Sequence, residues 1–376
     1  MPPAEPGAGR LIPFHFRLRI FQRARSAPHI LSTMSLSSLR SGLTAPPLAQ
    51  VGRPPVYGLV GDSNPGAASI WPARPLVLGL LALILAGSGC SVNQLVTRKL
   101  GDTLAQGGGV YASDNDPELI KQAVPFSLKL MESVLAENPH HRGLLCATSS
   151  GFTQYAYAFV QQDADEMESH DVQAALALRY RARRLYLRAR DYALRGLEEA
   201  HPGFTRQLRA DPATAVRDLR KSDVPLAYWA AASWGAAIGI IKNDSDLIAE
   251  LPQVEALIDR ALMLDEAYDS GTIHGFLVTY EMSRPTGNGS PAARARAHFA
   301  RAVQLSGGQQ ASPYVSLAES VSIAEQNRKE FESLLHQALA IDADAKPEWR
   351  LVNLVMQRRA HWLLSQADDL IANENK

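Results

Sequence analysis

Few side chains in this sequence stand where chemistry could be done. There are two cysteines in 376 residues. Cys146, in Gly143-Leu144-Leu145-Cys146-Ala147, reads as a small buried residue, with a catalytic thiol the lesser reading. Cys90 closes Ala86-Gly87-Ser88-Gly89, at the end of a long uncharged run. No histidine precedes a glutamate, so the two-histidine zinc helix is missing. No serine has a lysine three residues later, and no GxSxG elbow occurs. Gly287-Asn288-Gly289-Ser290-Pro291-Ala292 mimics a dinucleotide loop, but no strand precedes it and Pro291 interrupts it. His140-His141 beside Pro139 read as a helix-end turn before a metal site. Asp163, Asp165 and Glu166, like Asp342 and Asp344, fall at expected helix ends and can be explained as caps. The expectation is a protein that is not an enzyme, with no catalytic residue, metal or cofactor.

Cys90 carries the one chemical signal. Arg74 precedes Leu76-Val77-Leu78-Gly79-Leu80-Leu81-Ala82-Leu83-Ile84-Leu85, and small residues then lead to the cysteine. The run is too short to cross a bilayer comfortably and has the shape of a signal-peptide apolar region. A cysteine directly behind it resembles the lipobox of bacterial lipoproteins, although Gly87 stands where leucine is usual. That resemblance implies a diacylglycerol on the Cys90 thiol, cleavage before Cys90 and a fatty acyl chain, such as palmitate, on the new amine. A plain secretory signal that happens to end near a cysteine is the alternative. Ser91 follows where aspartate commonly marks inner-membrane retention, so an outer-membrane anchor facing the periplasm is expected. Residues 1–75 show no sustained period and read as a disordered upstream extension outside the mature protein. Residues 76–89 are the apolar region and 90–116 the anchor and tether; 117–376 is the helical domain.

The positioning elements are helices. Pro225–Ile241 contains no charge, so it must be wrapped on all sides by other helices. Its small residues let backbones approach, and Tyr228, Trp229 and Trp234 stand among them. Asp116-Pro117-Glu118 is a strong helix start, and Asn138-Pro139 stops that helix. Leu144–Gln162 carries Phe152, Tyr155, Tyr157 and Phe159. Gln173–Ala200 has a small or apolar face and an opposite one holding Arg179, Arg181, Arg183, Arg184, Arg188, Arg190 and Arg195. Such a face can be solvated, ion-paired or a patch for an acidic partner. Asp269–Met282 reads as a helix with Phe276 and Tyr280 one turn apart. No run of alternating residues suggests a sheet.

Lys and Arg total 38, as do Asp and Glu. Residues 1–90 hold eight arginines and two acids, which leaves 30 basic and 36 acidic side chains from residue 91 onward. That balance argues against a nucleic-acid partner. Three phrases repeat: Ile258–Asp265, Phe299–Ser306 and Leu335–Asp342, with central alanines Ala261, Ala302 and Ala338. An alanine where helices cross and a closing Leu/Ile-Asp mark tetratricopeptide-type pairs, here degenerate and unevenly spaced. The fold class expected is all-α, with stacked antiparallel helix pairs.

Local phrases point further. Ser91-Val92-Asn93, Ala112-Ser113-Asp114, Gly151–Phe159, Leu185–Arg190, Tyr228–Gly235, His298-Phe299, Phe331–Leu335 and Arg358–Leu364 recur in the order seen in the TatT component family, which the chain resembles from about residue 85 to 370. These are periplasmic lipoproteins associated with tripartite ATP-independent periplasmic (TRAP) transporters. The resemblance implies cryptic tetratricopeptide motifs, a pore through each protomer, a partner substrate-binding protein, assembly as homotrimers and handover of apolar or amphipathic ligands. Contact with the membrane would be through the lipid anchor only. The candidate channel residues are Tyr155, Phe159, Tyr228, Trp229, Trp234, Phe276 and Tyr280, with core packing the rival role for each. The rival function is a tetratricopeptide scaffold lipoprotein of envelope assembly that holds no small ligand.

Overall fold

The computed structural model describes residues 98–241, 244–284 and 287–372. The described residues all fall in one compact unit. Cys90, the apolar run before it and residues 1–75 lie outside the described residues.

Those residues form helices and turns, with no strand among them. After helical residues 98–106 and a short helix Gly108–Ala112, α1 (Pro117–Glu137) starts where expected. The Asp116 carboxylate accepts the free N–H groups of Glu118 and Leu119, both at 3.0 Å. The imidazole of His141 does the same for α2 (Arg142–Tyr155), accepting from the Leu144 N–H at 3.1 Å. α2 does not stop at Gln162. It passes through a π turn, Ala156–Gln161, into Gln162–Met167. Asp171 caps α3 (Val172–Glu198). The charge-free stretch is α4 (Val224–Ile240). Then follow α5 (Leu251–Leu264), α6 (Thr272–Tyr280), α7 (Pro291–Ser306), α8 (Ser312–Leu317, extended by a π turn at Ala318–Ser322), α9 (Arg328–Leu339) and α10 (Arg350–Ser365).

One expected boundary moves. α6 begins at Thr272 instead of Asp269, because Asp269, Ser270 and Gly271 all take positive φ in the preceding turn. Gly271 is required there twice over. Its φ of 93° suits glycine, and a Cβ would sit 3.0 Å from Leu305 Cβ and 3.4 Å from Ala302 Cα.

Consecutive helices pack on one another from α1 to α10, and α2 also touches α4, α6 touches α8 and α8 touches α10. Such neighbours and next-neighbours are compatible with stacked helix pairs. The three repeated alanines explain their own recurrence: Ala261, Ala302 and Ala338 are all buried. The interior has two large apolar clusters. One draws on α1 to α6, the other on Val278 of α6 and on α7 to α10. Tyr157, in the first π turn, packs against both, while α10 gives Val355 to the first and Met356, Ala360 and Leu363 to the second.

Candidate functional site

α4 is enclosed by α2, α3 and α5, as a helix apolar on all sides must be. Ala227, Ala230, Ala231 and Ala237 have no accessible surface. All seven expected aromatics lie in or against the first apolar cluster, so three separate helical regions converge on one interior. Tyr155, Phe159, Tyr228, Trp234 and Tyr280 are buried, whereas Trp229 and Phe276 are only partly so. They make small groups instead of one stripe. Tyr228 meets Trp229 edge-on at 4.9 Å between ring centres, and Tyr268 at 5.7 Å. Phe276 stacks on Tyr280 at 5.3 Å, and Tyr155 tilts against Phe159 at 5.9 Å.

The polar tips of these rings separate packing from other uses. Trp234 donates its indole N–H to Glu250 at 2.8 Å while the Arg190 guanidinium lies 4.9 Å over its ring. That is a satisfied core tryptophan. Tyr155 accepts from Arg181 at 3.4 Å. The Tyr280 hydroxyl, by contrast, is buried without a hydrogen-bond partner, and burial pushes its pKa far up. Burial raises the hydroxyls of Tyr228 and Tyr268 in the same way, although Tyr268 keeps accessible surface. Beside Phe276, a Cβ on Gly275 would meet nothing within 4 Å. Trp229, Tyr268, Gly275 and Phe276 thus keep accessible surface.

Sequence reasoning passed over Tyr157 and Tyr268. Tyr157 reaches Met356 Sδ at 3.8 Å across the junction of the two clusters and keeps accessible surface, although burial drives its pKa far above the usual phenol value. Its place in an aromatic phrase was legible; that the phrase forms a π turn was not. Cys146 packs against the same cluster, and burial pushes its thiol up to about 11.

Charged groups gather at that junction. Asp163, Asp165 and Glu166, expected as caps, sit within the continuous extension of α2 and serve as clamps. Arg358 reaches Asp163 and Glu166, Arg359 reaches Asp165 and Glu319, and Lys121 holds Asp163 at 2.7 Å. Arg179 also bonds Asp165. The physical reason is tertiary: α10 returns to α2 and brings two arginines against a helix face whose acids would otherwise be solvated. Gln162, beside them, is buried with neither amide atom hydrogen-bonded.

Asp191, Leu194, Arg195, Glu198, Thr205, Arg206, Arg209 and Ala210 line an open surface concavity of about 720 Å³. None of the seven aromatics touches it.

These features define a class: an all-helical protein whose inward chemistry is aromatic and apolar, with clamped charges between two cores. Within that class, the model of the TRAP transporter T-component family matches residues 113–371, and the chain belongs to that family. A protein of Treponema pallidum (strain Nichols) described as an uncharacterized protein is 29% identical over 306 residues, which span 77% of this chain and 95% of the relative. Membership gives the chain an accessory role in a TRAP transport system. Among the described residues, no helix is long and apolar enough to cross a membrane.

Proposed function

We propose that the chain is a lipid-anchored, periplasm-facing accessory of its TRAP transporter that accommodates an apolar or amphipathic ligand and docks the substrate-binding protein. The observation that supports this reading is the accessible surface kept by Trp229, Tyr268 and Phe276 where they pack against the first apolar cluster, with open space at Gly275 beside Phe276. Apolar side chains that keep surface deep in a fold leave room for carbon to displace water, which favours an apolar occupant. The mechanism is physical. Rings and small residues shape the space, and no bond is made or broken.

The anchor in this reading is Cys90, acylated on its thiol and on its amine and held in the outer membrane. Each buried methylene adds about 0.8 kcal/mol, so two or three chains suffice for stable attachment. Cys90→Ser is expected to release the protein from membranes in an alkaline wash; retention at the wild-type level would end the anchoring claim.

Ligand carriage is read by native mass spectrometry of the detergent-extracted protein. A bound apolar molecule is expected, and the same spectra report the trimer implied by the family. Gly275→Trp fills the open space beside Phe276 and is expected to lower the bound fraction at least severalfold with helicity unchanged. Ligand-free spectra from every wild-type preparation would refute carriage.

A further inference from the structure

Arginines in this molecule are mostly spoken for. On α3, Arg179 bonds Glu168 and Asp165, Arg183 bonds Asp244, Arg188 bonds Glu132, and Arg190 bonds Asp191 and Glu250. Three that are not lie together. Arg195 in the last turn of α3, and Arg206 and Arg209 on the short helix Phe204–Ala210, are exposed and form no ion pair with any described residue. All three line the concavity of about 720 Å³. Arg195 is held in place by the Pro139 carbonyl at 3.3 Å and by the Tyr192 ring, 5.4 Å from its guanidinium carbon.

The two acids in the same concavity are already engaged. Glu198 accepts the N–H groups of Gly203 and Thr205, with the Arg206 charge near enough to help hold its carboxyl low, and Asp191 accepts from Arg190 at 2.9 Å. Leu194, almost fully buried, supplies apolar floor between the arginines. A cationic rim over a carbon floor thus stands on a chain that is otherwise acidic beyond residue 90.

We infer that this concavity docks an acidic segment of a partner protein, with carboxylates meeting Arg195, Arg206 and Arg209 and an apolar side chain lying over Leu194. The inference rests on the reading of the chain as a docking accessory. Rim arginines steer and orient a carboxylate partner more than they add affinity, and the apolar contact supplies the rest. A membrane surface fits less well. Its uniform negative charge would meet Asp191 and Glu198 as well as the arginines.

The test is fluorescence anisotropy on the full chain with a labelled helical peptide of Glu and Leu at i, i+3 and i+4, its Gln-for-Glu counterpart, and phosphatidylglycerol vesicles as competitor. The acidic peptide is expected to bind at least tenfold more tightly than the Gln peptide at low salt, and to weaken as salt rises. The combined variant Arg195→Gln, Arg206→Gln, Arg209→Gln should lose at least tenfold, with its helicity unchanged and its thermal midpoint lowered only by the loss of the exposed Arg195 contacts to Pro139 and Tyr192. Equal binding of the two peptides, full binding by the variant, or displacement by vesicles that themselves need the three arginines would each overturn the inference. Ligand carriage, read by mass in the same variant, is expected to stay at the wild-type level. Loss of docking and loss of carriage are therefore separate results.

Discussion

His274 and His298 face each other across α6 and α7 with their Nδ1 atoms 2.8 Å apart. Only one proton fits between them, so the pair cannot be doubly charged without parting. Glu266 lies 3.3 Å from His274 Nε2 and is itself held by Arg301; Glu281, Arg284 and Asp259 act on His298. Burial lowers the pKa of both imidazoles, and His274 lowers that of His298 further. In the unfolded chain each would titrate near its ordinary 6.5. The unfolded state therefore binds more protons than the folded one as pH falls through that value, and stability drops. It is fully present above about pH 7.5 and lost progressively below 6.5. The thermal midpoint of the wild type should fall more between pH 7.5 and 5 than that of His274→Phe/His298→Leu; identical slopes would refute the assignment. Cys146 offers a second reading at this scale. With its thiol pushed up to about 11, it should alkylate at least tenfold more slowly than free cysteine at pH 8. Rapid labelling of the native protein would contradict this.

Helices meet through single small positions. A Cβ on Gly196 of α3 would lie 2.6 Å from Leu226 Cδ2 on α4, and one on Gly151 of α2 would lie 2.8 Å from Leu128 Cδ2 on α1. Gly196→Val should cost about 1–3 kcal/mol by forcing α3 and α4 apart, read as a lower urea midpoint at constant slope. An unchanged midpoint would mean that Leu226 rotates away freely. Element existence was legible almost throughout: Asp116 caps the helix that it was expected to start, and the charge-free α4 is enclosed; that Asp171 and Asn327 also cap their helices emerges from the structure. The π turns at Ala156–Gln161 and Ala318–Ser322 were not legible, because one extra residue in a turn leaves no mark on periodicity.

The two cores are tied by α10. Arg359 is 5% exposed and bonds Asp165 from α2's extension and Glu319 from the second π turn. Arg350 reaches back to the Ser113 carbonyl at 2.8 Å, and Arg358 to Glu118. Arg359→Leu removes charged hydrogen bonds to Asp165, which keeps Arg179, and to the partly exposed Glu319, so it should destabilise by about 1.5–3 kcal/mol. Arg358, more exposed, should cost about 1 kcal/mol or less when changed to Gln. Chemical denaturation of both variants checks the order; equal losses would show that α10 is not held through Arg359.

Sequence alone determined the all-α class, the wrapped central helix, the Asp116 cap, the buried alanines of the repeats and the family, since each is a local pattern of residue type and spacing. The tertiary structure decided which aromatics are sealed and which keep access. Trp234 closes on Glu250 and Arg190, whereas Trp229, five residues along the same helix, stays partly open. It also turned expected caps into clamps and left three arginines unpaired around one hollow. Periodicity says which face of a helix is apolar. What stands opposite that face depends on where distant helices return, and one helix does not encode that.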